Sequence, residues 1–211
     1  MLQKDRNKLF NNWARSYDRV TPNVLFDFPF AGYENVLDKI VDLADAKKGM
    51  SILDIGSGSG NLTGRFVALG CDVIGMDFSE RLALKAKIKV PAAQFIHGDI
   101  LESWPPVVKK KFDRIVSGYV LHEFDLEEKI GLITQWHNNY LTDEGIIVIG
   151  DIGFPNRKAR EMAKKEWVHH WDDREYYWAV DEVAEMLEDS DLSFAYFQIS
   201  PCAGVYKFWV N

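Results

Sequence analysis

The amino-acid sequence predicts an α/β fold built on a parallel, doubly wound sheet, and three observations carry that prediction. Short apolar runs alternate with amphipathic stretches throughout residues 51–150, the pattern of strands joined by crossover helices. The first run, Ser51-Ile52-Leu53-Asp54-Ile55, breaks directly into Gly56-Ser57-Gly58-Ser59-Gly60, after which Leu62, Phe66, Val67 and Leu69 recur at helical spacing. Two β-rich runs, 193–199 and 205–210, flank Pro201-Cys202-Ala203-Gly204 and predict an antiparallel pair.

The elements follow in order. Leu9, Phe10, Trp13, Ala14 and Tyr17 give residues 3–19 the stripe of an amphipathic helix, which Thr21-Pro22-Asn23 interrupts. Val36, Leu37, Ile40, Val41, Leu43 and Ala44 share one face of a second helix over 33–47, ended by Lys48-Gly49. After the glycine turn and its helix comes a strand at 72–77. Ser79 caps a helix running to Lys89, and Pro91 breaks it. A third strand covers 94–99. Pro105-Pro106 and Lys109-Lys110-Lys111 form a solvated loop before a fourth strand at 112–117. Asp125 and Glu128 have the spacing of a capping box and open a helix to Tyr140. Thr142-Asp143-Glu144-Gly145 turns into a fifth strand at 146–149, and helical segments follow at about 156–170 and 181–189. The chain is expected to be one domain, 1–211: helical residues 1–48 over a core at 49–211, with a helical insertion at about 155–190.

Composition bounds the function. The 211 residues suit one domain with a sizeable core. The net charge of −7 opposes broad attraction to nucleic acid. No apolar run is long enough to span a bilayer, and Met1-Leu2-Gln3-Lys4-Asp5-Arg6 lacks the apolar region of a secretory signal. Cys71 and Cys202 have no metal-ligand spacing. A cytoplasmic chain without disulfides is expected, and nothing in the sequence fixes an oligomeric state.

The glycine turn is either a plain loop or a ligand site, and its place at the carboxyl end of a strand, where such sheets bind their ligands, favours the second. It fails the G-x-G-x-x-G pattern of dinucleotide folds, because Asn61 or Thr63 stands where the last glycine belongs. No Gly-Lys-Ser/Thr follows, so it is not a P-loop. What remains is D-x-G-x-G-x-G followed by acids at the ends of the next two strands. Asp77 is placed to accept the hydroxyls of a ribose and Asp99 to take an adenine amino group. An acid-rich pocket without a phosphate-binding cation suits a cationic nucleoside.

On these motifs, Ile52 to Gly60, Asp77, Gly98-Asp99-Ile100 and Phe112 to Ser117, the sequence resembles the class I S-adenosylmethionine-dependent methyltransferases. The resemblance implies a Rossmann-like sheet of seven strands, mostly parallel with an antiparallel last strand, and S-adenosyl-L-methionine as the cofactor. It also implies site residues. Gly56, Gly58 and Gly60 pass beneath the methionine portion and ribose, with Ser57 in the same turn. Asp54 holds the turn and reaches the amino group. Asp77, with Phe78 beside it, takes the ribose hydroxyls, and Asp99 with the backbone of Ile100 takes the adenine. The Ser117 carbonyl contacts the methionine amino group. Trp13-Ala14-Arg15-Ser16-Tyr17-Asp18 is similar to the W-x-x-x-Y-D lid signature of small bacterial members, which implies a lid with Tyr17 over the methionine end.

Absences narrow the acceptor. Ser117-Gly118-Tyr119-Val120 stands where enzymes acting on exocyclic amines of nucleic acids carry Asp/Asn-Pro-Pro-Tyr/Phe. Cys202 follows Pro201 in the terminal hairpin, so no Pro-Cys nucleophile is available for cytosine. No carboxylate cluster is visible near the methyl group, so no metal ligands are expected. His122 is the candidate general base, with an orienting or packing role as its alternative. Tyr119 lines the methyl site or packs, and Glu123 binds substrate or is solvated. Trp167, His169, His170, Trp171, Tyr176, Tyr177 and Trp178 divide between packing and a pocket wall. Arg157, Lys158, Arg160, Lys164 and Lys165 form a solvated face. The expected function is direct in-line methyl transfer to a small-molecule acceptor. A non-catalytic sensor of the cofactor or its product, and an RNA methyltransferase, remain as alternatives.

Overall fold

A computed structural model describes residues 28–102 and 104–210. The predicted helix at 3–19, with Trp13, Tyr17 and the Thr21-Pro22 break, lies outside the described residues.

The first strand, β1 (Ser51–Ile55), shows why the sheet is buried on both faces. Side chains alternate across a strand. Leu53 and Ile55 face one core and Ile52 faces the other, all fully buried. Around β1 stand β2 (Asp72–Asp77), β3 (Gln94–His97), β4 (Phe112–Gly118) and β5 (Leu141–Phe154), all parallel, in the order β3-β2-β1-β4-β5. The two-residue β6 (Trp178–Ala179) pairs with the end of β5. The closing pair is β7 (Leu192–Gln198) and β8 (Ala203–Val210). The chain places β8 between β5 and β7, antiparallel to both.

One face carries α1 (Tyr33–Ala44) and α2 (Asn61–Ala68), whose Val36, Leu37, Ile40, Leu62 and Phe66 meet Ile52, Val116 and Val148. The other carries α4 (Leu126–Tyr140) and α6 (Val180–Met186), which bring Ile133, Trp136 and Val183 onto Leu53, Ile115 and Ile147. Between them in sequence lie α3 (Glu80–Lys89) and α5 (Arg157–Glu166). The expected caps are present. Ser79 Oγ accepts from Leu82 N at 3.3 Å. Asp125 accepts from Glu128 N at 2.9 Å while Glu128 accepts from Asp125 N at 3.1 Å, so both orphan donors of the helix start are satisfied.

The structure differs from expectation at β5. This strand starts at Leu141, opposite Phe112, and Ile146 stands opposite Arg114. Thr142 to Gly145 therefore leave the ladder as an excursion within the strand. At its other end β5 continues through Asp151 to Phe154, because β8 pairs with it as far as Ile152 opposite Ala203. The insertion helices are shorter than their periodicity suggests, since the chain between them turns to form β6.

Candidate active site

The site begins where β1 gives way to the glycine turn. Gly56 N and Ser57 N both donate to the Met76 carbonyl, at 2.8 and 3.1 Å, which binds the turn to the end of β2. Gly56 has φ +68° and Gly58 φ +53°, a region that L side chains rarely adopt. The two glycines differ in what surrounds them. A Cβ on Gly56 would stand 2.2 Å from Val120 Cγ2, whereas one on Gly58 would meet nothing nearer than the Gly56 carbonyl at 4.0 Å. Gly56 is required by packing, and Gly58 faces open space. Gly60, also left-handed, is the N-cap of α2.

Asp77, at the end of β2, holds this turn. Its Oδ2 accepts from Gly58 N and its Oδ1 from Ser79 N, both at 2.8 Å. Its structural role therefore exceeds the ribose contact expected from sequence. Each carboxylate oxygen keeps a further lone pair for a ligand. Burial pushes the Asp77 carboxyl up to about 6, against the two backbone donors. Asp54, in β1, accepts from Thr63 Oγ1 at 2.5 Å through Oδ2. Burial pushes it up to about 7, against the Thr63 hydrogen bond and with the neighbouring Asp77 charge adding to the rise. Its Oδ1 and the hydroxyl of Ser57 are buried without a hydrogen-bond partner among the described residues. Buried polar atoms are normally satisfied, so these two orphans are exceptions to the usual pairing.

Adjacent strand ends supply the rest. His97 Nε2 donates to the Phe78 carbonyl at 2.8 Å, joining the ends of β3 and β2. Asp99 accepts from Leu101 N at 2.9 Å, with Ile100 half-buried beside it. Ser117 Oγ donates to the Ile55 carbonyl at 2.9 Å, locking β4 to β1. The fold thus gathers Asp54, Gly56, Ser57, Gly58, Gly60, Asp77, Phe78, Asp99, Ile100 and Ser117 at the carboxyl ends of four neighbouring strands. Tyr17 lies outside the described residues.

Beyond β4 the chemistry changes. Tyr119 is buried with φ +58°, and its hydroxyl has no partner among the described residues. A non-glycine residue held there stores backbone strain of about 1–3 kcal/mol, a feature that clusters at functional sites. Its ring lies 5.3 Å from Tyr33 and 5.6 Å from Phe30. Burial drives its ionisation far above the usual range, so the phenol stays protonated.

His122 is buried, and its Nδ1 lies 2.7 Å from Asp151 Oδ1. Burial alone would lower the imidazole pKa, but the Asp151 charge and hydrogen bond outweigh it and raise the group to about 9. An imidazole protonated at neutral pH is a poor general base, so the geometry favours the orienting role over the base role. Asp151 also accepts from Ile152 N at 2.9 Å and Trp178 Nε1 at 3.1 Å. Burial would raise its carboxyl, but the charges of His122 and Lys129 hold it low. Nearby, buried Lys129 lies 4.5 Å over the Trp178 ring and donates to the Tyr176 carbonyl. Burial lowers the lysine to about 7.

The fold assembles one group of acids that the sequence did not bring together. Glu175 arrives from the loop after α5 and stands with Glu123 around His122. Sequence reasoning missed Asp151, Lys129 and Glu175. Asp151 had a signal, being an acid following a buried apolar strand. Lys129 and Glu175 had none, because only their tertiary neighbours distinguish them. Of the aromatic group, Tyr177 and Trp178 are core, while Tyr176, His169 and His170 are exposed. Trp171 is half-buried, 4.5 Å edge-on to Tyr177 and stacked on Phe28 at 5.6 Å. A cavity of about 600 Å³ is lined by Trp171, Glu175, Tyr177, Trp178, Lys129 and Arg160, among others. The basic face of α5 is paired rather than simply solvated: Arg160 and Arg157 meet Glu182 at 2.6 and 3.2 Å, and Lys164 meets Asp173 at 2.5 Å.

Comparison with known proteins bears on the family and the fold. Residues 52–143 match the model of a methyltransferase domain. The chain is 37% identical over 164 residues to an uncharacterized methyltransferase of Alkaliphilus oremlandii, covering 76% of this chain and 74% of that one. It is 31% identical over 200 residues to one of Geobacillus sp. strain WCH70, covering 90% and 91%. In structure it is similar to the magnesium protoporphyrin IX methyltransferase of Synechocystis PCC 6803 with bound S-adenosylhomocysteine, at a TM-score of 0.74 and 20% identity over 97% of this chain and 95% of that one. The chain belongs to the class I S-adenosylmethionine-dependent methyltransferases.

Proposed function

We propose that the protein methylates a small-molecule acceptor held beside His122, with the donor over the glycine turn. The observation that carries this reading is the pair of orphaned buried groups, Asp54 Oδ1 and Ser57 Oγ, next to the open face of Gly58. They fit the polar, cationic methionine end of the donor, and Asp77 and Asp99 stand at the successive strand ends where its ribose and adenine are expected. Tyr17 closes the methionine end in this reading.

S-adenosylmethionine, when bound, supplies a methyl group already activated by its sulfonium. The residues of this chain position and shield. Positioning of an acceptor in line is worth roughly 7–11 kcal/mol of the barrier in favourable cases. The cavity walled by Trp171, Tyr177 and Trp178 has the size of a small-molecule site and a mixed aromatic and charged lining, and shares Glu175 with the His122 group. The pairing of Arg157, Arg160 and Lys164 with acids weighs against an RNA phosphate backbone as partner.

The test is production of S-adenosylhomocysteine with a library of small metabolites, alongside bulk RNA. Turnover with a metabolite and none with RNA is the expected result. Donor binding without turnover on any acceptor would point to the sensor instead.

A further inference from the structure

We propose that His122, Glu123 and Glu175 form a divalent-cation site. One imidazole nitrogen and two carboxylates present donor atoms that all lie within 4.8 Å of one another. His122 Nε2 is 3.9 Å from Glu123 Oε1 and 4.0 Å from Glu175 Oε1. Both separations are too long for hydrogen bonds. Only Nδ1 of this ring is hydrogen-bonded among the described residues. His122 is 6% exposed as a residue, and its Nε2 stands at the two acids. Around a metal ion roughly 2.0–2.2 Å from each ligand, neighbouring donors stand about 3.0–3.5 Å apart. The gap therefore needs only a small contraction.

The surroundings are built for this. Asp151 lies behind the ring at 2.7 Å and fixes Nδ1 as the donor, leaving Nε2 to the ligand side. Metal-bound histidines almost always carry such an outer carboxylate, which sets their tautomer and orientation. Asp151 is itself held by Ile152 N and Trp178 Nε1. The segment bearing Glu175 is pinned too: Tyr176 N donates to the His122 carbonyl at 2.7 Å, and Lys129 donates to the Tyr176 carbonyl. The histidine and the segment bearing Glu175 are therefore positioned by groups outside the cluster.

An imidazole with two carboxylates suits Mn²⁺, Fe²⁺, Co²⁺ or Zn²⁺ better than Ca²⁺, which takes oxygen ligands alone. Binding replaces any proton on Nε2, which passes to solvent. Three protein ligands leave positions open for water or for an acceptor oxygen. That last use rests on the methyl-transfer reading above; the site itself does not.

Chelator-treated full-length protein, without donor, is titrated with Co²⁺ and followed by its visible absorption, and with Mn²⁺ followed by electron paramagnetic resonance. One saturable site per chain is expected, weakened at least tenfold by Glu175→Gln and by Glu123→Gln. Neither substitution touches the His122–Asp151 pair, and unchanged thermal unfolding verifies the fold. Absence of saturable binding, or binding equal in both variants and the parent, overturns the site. S-adenosylhomocysteine binding is measured on the same samples. A silent cation titration with intact product binding removes only the cation site; the reverse removes only the proposed donor site.

Discussion

Tyr176 and His122 are joined backbone to backbone, the Tyr176 N–H donating to the His122 carbonyl at 2.7 Å. The bond ties the loop before β6 to the turn after β4. It sets Glu175 beside a histidine from a distant part of the chain. The site therefore has two halves of different origin: one folded locally around the glycine turn, the other assembled across the chain.

Asp151→Asn tests the second half. The substitution leaves a buried imidazole facing a neutral amide in place of a carboxylate. Breaking a buried pair by removing one charge costs about 3–5 kcal/mol. Urea unfolding of the variant is expected to show a loss of that order, whereas His122→Asn with Asp151→Asn together is expected to lose less than the two single losses summed.

Asp77→Ala is expected to damage both stability and donor binding, because Asp77 accepts from Gly58 N and Ser79 N. A buried donor left unpaired costs about 1–3 kcal/mol. Asp77→Asn keeps an acceptor oxygen, so its stability loss should be smaller. For both variants, calorimetry with S-adenosylhomocysteine should show affinity down by one to two powers of ten, the worth of a charged hydrogen bond of about 1.5–3 kcal/mol. Unchanged affinity in the folded asparagine variant would remove Asp77 from the ribose.

The same carboxyl fixes a pH dependence. The ordinary value is 3.8, and burial raises Asp77 to about 6 and Asp54 to about 7. The native protein then holds protons that the unfolded chain has released. Their contribution to stability is present below about pH 4 and falls as pH rises through these values. Asp77→Asn removes its part, so parent minus variant stability should fall by about 2–3 kcal/mol between pH 4 and 7. Affinity for the cationic donor should rise over the same window, as the carboxylates ionise.

Gly56→Ala and Gly58→Ala separate packing from binding. The first drives a methyl to 2.2 Å from Val120 Cγ2, and overpacking of this kind costs about 1–3 kcal/mol or more. The second meets open space and bears only left-handed strain, about 1–2 kcal/mol. Gly58→Ala should therefore be the more stable variant in thermal unfolding while losing donor binding at least tenfold. Intact binding there would place the donor elsewhere.

Tyr17→Phe tests the proposed lid. Phe30, just after the N-terminal segment, packs its ring 5.6 Å from Tyr119, so the chain approaches the site there. Loss of one hydrogen bond should weaken S-adenosylhomocysteine binding by about 0.5–1.5 kcal/mol. Hydrogen exchange before Phe30 should slow when that ligand is added. Equal exchange with and without ligand, beside a silent Tyr17→Phe, would leave packing as the role of this segment.

Most of the fold was legible because its signals are local. Strand β2 needed only its apolar run, Ser79 and Asp125 only their spacing from the helix they cap, and the glycine turn only its place after a buried strand. Boundaries failed where tertiary contacts overrode the pattern. The apolar run of β5 stops at Ile149, yet β8 supplies ladder partners for Gly150, Asp151 and Ile152, so the strand continues past a charge.

By itself, the sequence determined the alternation of strands and helices, the candidate donor site around Asp54, Gly58 and Asp77, and the position of His122 just past β4. These depend on periodicity, turn chemistry and neighbours a few residues apart. Only the tertiary structure decided what surrounds His122. Asp151, Lys129 and Glu175 look like ordinary charged residues in the sequence, because burial and partnership are properties of where the chain returns. The ladder between β5 and β8 buries Asp151, and the Tyr176–His122 bond delivers Glu175. Desolvation then turns ordinary side chains into a coupled group of charges, and no local pattern encodes that.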